Sequence, residues 1–155
     1  MAGVRWKHIG VEEGPVKTAC ALGVLVLSLC LWCIAVRAKD NRETGATAAA
    51  ETWLGHVDAG DYAGSWHAAS AYVQGAITEQ AWVESLHGVR TPLGKLLSRQ
   101  LKKAQHTQSM PGAPDGDYVV MQFDTRFENK QAAVETVTFM QEKHGTWKAA
   151  GYYIK

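Results

Sequence analysis

The chain has 155 residues, which is enough for one domain with an appendage and too few for two full domains. Apolar residues make up 46% of it and charged residues 20%, a balance that allows a packed core and excludes a disordered chain. From Ala38 onward, 12 basic and 13 acidic residues give a net charge of −1, which argues against nucleic acid as a partner.

An uncharged apolar stretch near the N-terminus, Thr18–Val36, is bounded by Lys17 and Arg37. As a helix, its 19 residues would extend about 28 Å, close to the roughly 30 Å hydrocarbon core of a bilayer. We therefore predict a transmembrane helix at residues 18–37, after a short tail at residues 1–17.

Two further points concern this stretch. A cleaved signal peptide is the alternative, with Val36-Arg37-Ala38 as the cleavage site, although such peptides have shorter apolar runs. A lipoprotein signal would need a small residue before its cysteine, whereas Cys30 follows Leu29 and Cys33 follows Trp32.

Basic residues flank the stretch almost equally, so charge does not fix the orientation. We expect the usual signal-anchor arrangement, with the tail inside and the domain outside.

We predict a linker at residues 38–47 and an α+β domain at residues 48–155. The domain begins with helical patterns. Thr47 is the expected cap of the first helix, and Gly60 its end. Asp61 caps a second, short helix; Gly75 breaks the chain, and Thr78 caps a third. The first and third helices each carry one apolar stripe: Ala50, Trp53, Leu54 and Val57 in the first, and Trp82, Leu86 and Val89 in the third.

After Gly94 the pattern changes to the alternation of strands. A long polar strand, in which Leu97, Arg99, Leu101 and Lys103 alternate, runs toward Met110. Three further strands are predicted at Tyr118–Phe127, Val134–Met140 and Trp147–Ile154. Three helices followed by four strands predict an antiparallel sheet with the helices on one face.

This order of elements resembles the nuclear-transport-factor-two-like superfamily, whose bent sheet wraps around a helix and leaves a cone-like pocket. The domain more closely resembles a bacterial exported family numbered four-zero-one-nine among the domains of unknown function. The stretches that carry this resemblance cover nearly all of residues 48–154: Ala50–Leu54, Val57–Tyr62, Ser65-Trp66, Arg90–Gly94, Ser98-Arg99, Pro111–Tyr118, Phe127–Lys130, Glu135-Thr136 and Gly145–Tyr152. The resemblance implies an exported bacterial domain, hence a place in the periplasm, on the inner membrane if the anchor is retained. It implies no activity.

Glu135 is the candidate for acid–base chemistry, because it shares a strand face with Val137 and Phe139 and burial would raise its pKa. The alternative is a structural ion pair between Glu135 and Arg99 or Arg90. Asp124, on the face opposite Phe123, is a second carboxylate and is expected to be solvated.

A ligand pocket, if the cone holds one, would be lined by aromatic residues together with Arg99 and Glu135. The aromatic residues are also at core spacing: Trp53, Tyr62, Trp66, Tyr72 and Trp82. The histidines form no HxxxH or HxH pair, so no metal and no cofactor are expected.

The remaining aromatic residues favour protein contacts: Trp32 in the membrane stretch, and Trp147, Tyr152 and Tyr153 on the last strand. From these patterns we predict a non-catalytic, single-pass accessory or assembly subunit of a bacterial membrane complex. Its domain would bind integral membrane subunits, or pair with a second copy through the sheet. The alternative is a membrane-tethered or exported small-ligand binder or enzyme that uses the cone pocket.

Overall fold

A computed structural model of the protein describes residues 41–155, which lie within the second of the two units of the chain, Ala38–Lys155. The predicted membrane helix at 18–37, with Trp32, and the tail at 1–17 lie outside the described residues. Within residues 41–155, no helix combines the length and the apolar character needed to cross a membrane.

The described residues form four helices and four strands. Helix α1 occupies residues 41–58, followed by α2 (Tyr62–His67), α3 (Ala71–Ala76) and α4 (Glu79–Arg90). Strands β1 (Leu96–Thr107), β2 (Tyr118–Phe127), β3 (Lys130–Gln141) and β4 (Trp147–Ile154) follow. Short 3-10 turns at Thr91–Leu93 and Lys143–Gly145 precede β1 and β4. The predicted α+β class is therefore confirmed.

The helix count differs from the prediction of three. Gly75 lies inside α3, where Ser70 caps the helix by accepting a hydrogen bond from the Val73 N–H at 3.3 Å. Glycine weakens a helix without forbidding it, and the cap and the burial of Val73 stabilise this short one.

The first helix also begins earlier than predicted. Residues 41–47, assigned to the linker, are helical, and the Thr47 hydroxyl donates to the Glu43 carbonyl at 2.7 Å instead of capping. The predicted caps Asp61 and Thr78 are confirmed, and Gly60 follows α1 with a φ of 74°, a conformation that glycine adopts without strain.

The sheet is an antiparallel meander in the order β1-β2-β3-β4. Its inner face packs against the helices: Val119, Met121 and Phe123 of β2, with Val137 and Phe139 of β3, join the apolar stripe of α1 in one core. No described helix or strand covers the other, outer face, whose strand positions are exposed or half-buried except Tyr118, which is buried and donates to the Pro114 carbonyl of the loop before β2.

Helix α1 contacts β1 at both of its ends. Near its start, Glu43 Oε1 accepts a hydrogen bond from the backbone N–H of His106 at 3.1 Å. At its end, Asp58 accepts hydrogen bonds from Arg99. The helix is thus held antiparallel to the edge strand of the sheet.

Candidate functional site

Glu135 lies at the centre of the inner face of β3, between Ala133 and Val137 in the alternating pattern. Its side chain is fully buried, at 0% exposure, as are Val137 and Phe139 beyond it. A carboxylate in such a place needs compensating donors, because burying an unpaired charge costs several kcal/mol or more.

Strands β1 and β2 supply the first hydrogen-bond donors to Glu135. Arg99 of β1 reaches across β2 and donates from Nε to Glu135 Oε2 at 2.6 Å and from Nη2 to Oε1 at 3.1 Å. Thr125 of β2, which lies opposite Arg99 in the register, donates its hydroxyl to Oε2 at 2.7 Å. The two parallel hydrogen bonds from Arg99 form the planar, bidentate geometry in which an arginine binds a carboxylate most strongly.

The remaining donors come from α4 and β4. Arg90, the last residue of α4, donates from Nη1 to Glu135 Oε1 at 3.3 Å and to the Tyr152 oxygen at 3.1 Å. The Tyr152 hydroxyl in turn donates to Oε1 at 2.5 Å. Arg90 also stacks on the ring of Phe127, with 4.7 Å between the guanidinium carbon and the ring centroid.

Asp58, at the end of α1, balances the second arginine. It accepts from Arg90 Nη2 at 2.9 Å and from Arg99 Nη1 and Nη2 at 2.6 and 2.9 Å. Asp58, Arg90, Arg99 and Glu135 form what we call the buried charge cluster, in which two carboxylates and two guanidinium groups sum to zero. It joins α1, α4, β1 and β3.

The cluster shifts the ionisation of its members. Burial by itself lowers the pKa of Arg99, but its hydrogen bonds to Asp58 and Glu135 outweigh burial and raise that pKa above its ordinary value. Burial, followed by the charge of Glu135, raises the pKa of Tyr152 well above its ordinary 10.0. Tyr152 is therefore held as a neutral phenol.

Glu135 is poorly placed to act as a base. Three hydrogen bonds reach its Oε1 and two reach its Oε2, whereas a carboxylate offers about four lone-pair positions. Accepting a proton from a substrate would require one of these bonds to break. Both ion pairs considered for Glu135, with Arg90 and with Arg99, are present.

The five aromatic residues considered for a pocket lie in different surroundings. Trp53 is buried in the core against Trp82, Phe139 and Tyr152, with ring centroids 6.3, 6.2 and 5.6 Å away. The indole N–H groups have polar partners: Trp53 donates to the Ser65 carbonyl at 2.8 Å and Trp82 to the Ser65 hydroxyl at 3.0 Å.

The other three aromatic residues lie at the margins of the helical layer. Trp66 donates to the Ile77 carbonyl at 3.1 Å, and Tyr62 meets the ring of His87 edge-on at 6.5 Å. Tyr72 is exposed, and its hydroxyl donates to the Gly112 carbonyl at 2.8 Å. These contacts tie the helices to one another and to the loop before β2.

The three aromatic residues of β4 lie on different faces. Tyr152 enters the buried charge cluster and Trp147 packs against the core, whereas Tyr153 lies on the outer face with 62% of its surface exposed. A register shift between Thr138 and Phe139 leaves Ala150 without a partner. This bulge shifts the alternation of the strand by one residue. Tyr152, and not Tyr153, therefore lies on the same face as Trp147.

The outer face carries a groove of about 650 Å³ near the turn between β2 and β3. It crosses three strands, and the side chains that point to this face are Ser98, Gln100, Asp124, Arg126, Ala132, Val134 and Lys155. We call it the strand-crossing groove. Asp124, the second candidate carboxylate of the sequence analysis, is exposed as predicted. Its Oδ1 atom lies 3.1 Å from Lys102 Nζ.

The described residues contain no group of three or more histidine, cysteine or acidic side chains placed to hold a metal. Three histidines instead pair singly with acids: His56 with Asp61 at 2.7 Å, His67 with Glu79 at 3.2 Å, and His106 with Asp117 at 2.6 Å. The hydrogen bond from His106 lowers the pKa of Asp117.

Sequence reasoning missed Asp58 as a member of the cluster. Its only local signal is an acidic residue at the end of a helix, where the dipole disfavours negative charge and a basic partner is required. Arg126 was also missed, because alternation indicates only that it is exposed.

The model of the family described as "Protein of unknown function (DUF4019)" matches residues 49–152. No curated protein and no solved structure matches the chain.

Proposed function

Because the chain belongs to the DUF4019 family, whose description assigns no activity, we propose a function from the surfaces of the domain. The domain is a non-catalytic binding module that holds partner subunits through the outer face of its sheet. Residues 18–37 anchor it in the inner membrane of a bacterium, with the domain in the periplasm, as an accessory subunit of a membrane complex.

One observation carries this proposal: the buried charge cluster and the apolar core occupy the inner face of the sheet, whereas most described positions of the outer face are exposed or half-buried. Inside, the buried charge cluster occupies the place where a ligand or substrate would need space and a free carboxylate. Outside, none of the elements within residues 41–155 covers the sheet, and Tyr153 is 62% exposed. Large aromatic side chains are enriched in protein interfaces, where they act as anchors.

The architecture supports the same interpretation. A four-stranded antiparallel sheet with helices on one face is compatible with the nuclear-transport-factor-two-like plan. We propose that the domain has this plan with its cone filled by side chains, which removes the basis for the small-ligand alternative. A filled interior leaves the outer face as the surface available for recognition.

The test is a mild-detergent purification of the full-length chain from its native membrane, with intact-mass analysis of the bait. We expect the mass of an uncleaved chain and a defined membrane complex at fixed stoichiometry. Tyr153→Arg should release the partner subunits. Val89→Arg is the matched control, because Val89 is also an exposed apolar residue but lies on α4.

The outcomes separate the parts of the proposal. A bait that lacks its first 38 residues would reject the membrane anchor. A complex that survives Tyr153→Arg unchanged would reject the outer face as the interface, and a complex made only of copies of this chain would identify a homodimer instead of an accessory subunit.

A further inference from the structure

Arg126 presents an unused guanidinium edge beside the strand-crossing groove. Its Nε and Nη2 both donate to the side-chain oxygen of Gln131, at 3.3 and 2.8 Å, and within residues 41–155 its Nη1 has no partner. Gln131 is fixed in turn, because its amide donates to the Phe127 and Glu128 carbonyls, each at 3.3 Å. The arginine is therefore oriented before any partner arrives.

The turn that carries this pair is held against the rest of the domain. Glu128 accepts from the Lys95 backbone N–H at 2.8 Å, and Asn129 donates to the Pro92 carbonyl at 3.1 Å. An arginine whose side chain and backbone are both restrained loses little conformational entropy on binding. Such a residue is well suited to be the main contributor to an interface.

The uncompensated side-chain charges of the groove are positive. Asp124 is paired with Lys102, and Arg99 is neutralised within the buried charge cluster. Arg126 lines the groove without an acidic partner among the described residues. Its floor is apolar, formed by Ala132 and Val134.

From this geometry we infer that the strand-crossing groove binds an acidic, extended segment of a partner protein, with a carboxylate on Arg126 and apolar side chains on Ala132 and Val134. The inference rests on the proposed function and specifies the chemistry of the partner. Successive side chains of an extended segment point to opposite sides, so the acidic and apolar residues that face the groove together would lie two positions apart in it. Arginine fits a carboxylate through two parallel hydrogen bonds.

The probe is a fluorescent peptide of Glu-Ser-Val-Ser repeats, in which glutamate and valine share one side of the extended chain, compared with one of Gln-Ser-Val-Ser repeats. Anisotropy is measured on the full-length chain in detergent micelles. We expect the acidic peptide to bind more tightly than the neutral one, and Arg126→Gln to weaken that binding about tenfold. Lys143→Gln is the control, since it removes the same charge from the exposed turn before β4.

Two further variants separate geometry from charge. Arg126→Lys keeps the positive charge and loses the planar guanidinium with its two parallel donors. Gln131→Ala keeps the arginine and loses the side-chain oxygen that orients it. Each variant should therefore weaken binding by less than Arg126→Gln. Equal affinity for the two peptides, or an unchanged affinity in Arg126→Gln, would overturn the inference. Competition by inorganic phosphate at the same concentration as the peptide would also overturn it, because the site would then bind small anions.

The purified complex distinguishes this inference from the proposed function. Loss of the partner in both Tyr153→Arg and Arg126→Gln supports both. Loss in Tyr153→Arg alone leaves the outer face as the interface and rejects the groove. Retention in both rejects the proposed function and the groove together.

Discussion

Arg99 and Glu135 are bound to each other across an intervening strand. The arginine belongs to β1 and the glutamate to β3, and their bidentate contact, at 2.6 and 3.1 Å, passes over Thr125 of β2. Thr125 donates to the same carboxylate at 2.7 Å. Because Tyr152 of β4 donates to it as well, this one fully buried carboxylate joins all four strands of the sheet, and its removal is the most direct test of the cluster.

Glu135→Ala should lower the free energy of unfolding by about 3–5 kcal/mol, because it leaves two largely buried guanidinium groups with one carboxylate, that of Asp58, in place of two. Chemical denaturation of the purified chain measures the change. Asp124→Ala is the control: this carboxylate and Lys102 are each 55% exposed, so its loss should cost less than about 1 kcal/mol. Similar costs for the two variants would contradict a structural role of the cluster.

Tyr152→Phe keeps the ring that packs on Trp53 and removes the hydroxyl between Arg90 and Glu135. Both charged groups lose a buried partner, so we expect a cost of about 1–3 kcal/mol in unfolding free energy. Far-ultraviolet circular dichroism against denaturant concentration gives this value.

The same variant tests a dependence on pH. The pKa of Tyr152 is raised in the folded state, so its contribution is complete below the unfolded value of about 10 and is lost as the pH rises above it. The stability difference between wild type and Tyr152→Phe should be constant from pH 6 to about 9 and shrink above about 10. A difference that does not change up to pH 11, about one unit above the unfolded value, would argue against the buried phenol.

Ser65→Ala should destabilise the helical layer. The Ser65 hydroxyl is buried, donates to the Tyr62 carbonyl at 2.7 Å and accepts from the Trp82 indole at 3.0 Å. Its removal leaves a half-buried N–H unpaired, at about 1–3 kcal/mol. Ser85→Ala, at an exposed position of α4, should change stability by less than about 0.5 kcal/mol.

Two glycines should respond to alanine with opposite signs. Gly94 has a φ of 72°, and an added Cβ would lie 2.8 Å from Glu128 Oε2, so Gly94→Ala should cost about 1–2 kcal/mol. Gly88 lies in α4 with open space around it, so Gly88→Ala should stabilise by about 0.5–1 kcal/mol. Melting temperatures that move in the same direction would contradict the backbone assignment at one of the two positions.

Periodicity predicted the parts of the fold that depend on local burial. The apolar stripe of α1 and the inner positions Val119, Met121 and Phe123 of β2 are all in the core. The third helical stripe was correct for Trp82 and Leu86, but Val89 is 46% exposed, whereas the next residue, Arg90, is buried. Apolar periodicity places Val89 on the buried side of the helix, but that side ends instead in a charged residue with a buried partner, Glu135.

The parts that were not predicted depend on contacts between distant residues. The bulge at Ala150 places Tyr152 on the inner face and Tyr153 on the outer face, and its local signal, Gly151 inside the strand, does not indicate which residue is bulged. The cluster was anticipated at Glu135, Arg90 and Arg99 but not at Asp58, which is 41 residues from Arg99. Identifying that partner requires the antiparallel placement of α1 along β1, and this placement is a property of the tertiary structure.

The two attachments of α1 to β1 impose a matching of lengths. From Glu43 to Asp58 the helix rises about 22 Å, and from Arg99 to His106 the strand extends about 23 Å. The length of α1 must therefore match that of the edge strand. One added residue in α1 would turn Asp58 by about 100° relative to Glu43, and only one of the two attachments of the helix to β1 would remain. Additions in the loop of residues 111–117 leave both measured segments unchanged, so the matching of α1 to β1 restricts the length of α1 and not that of the loop.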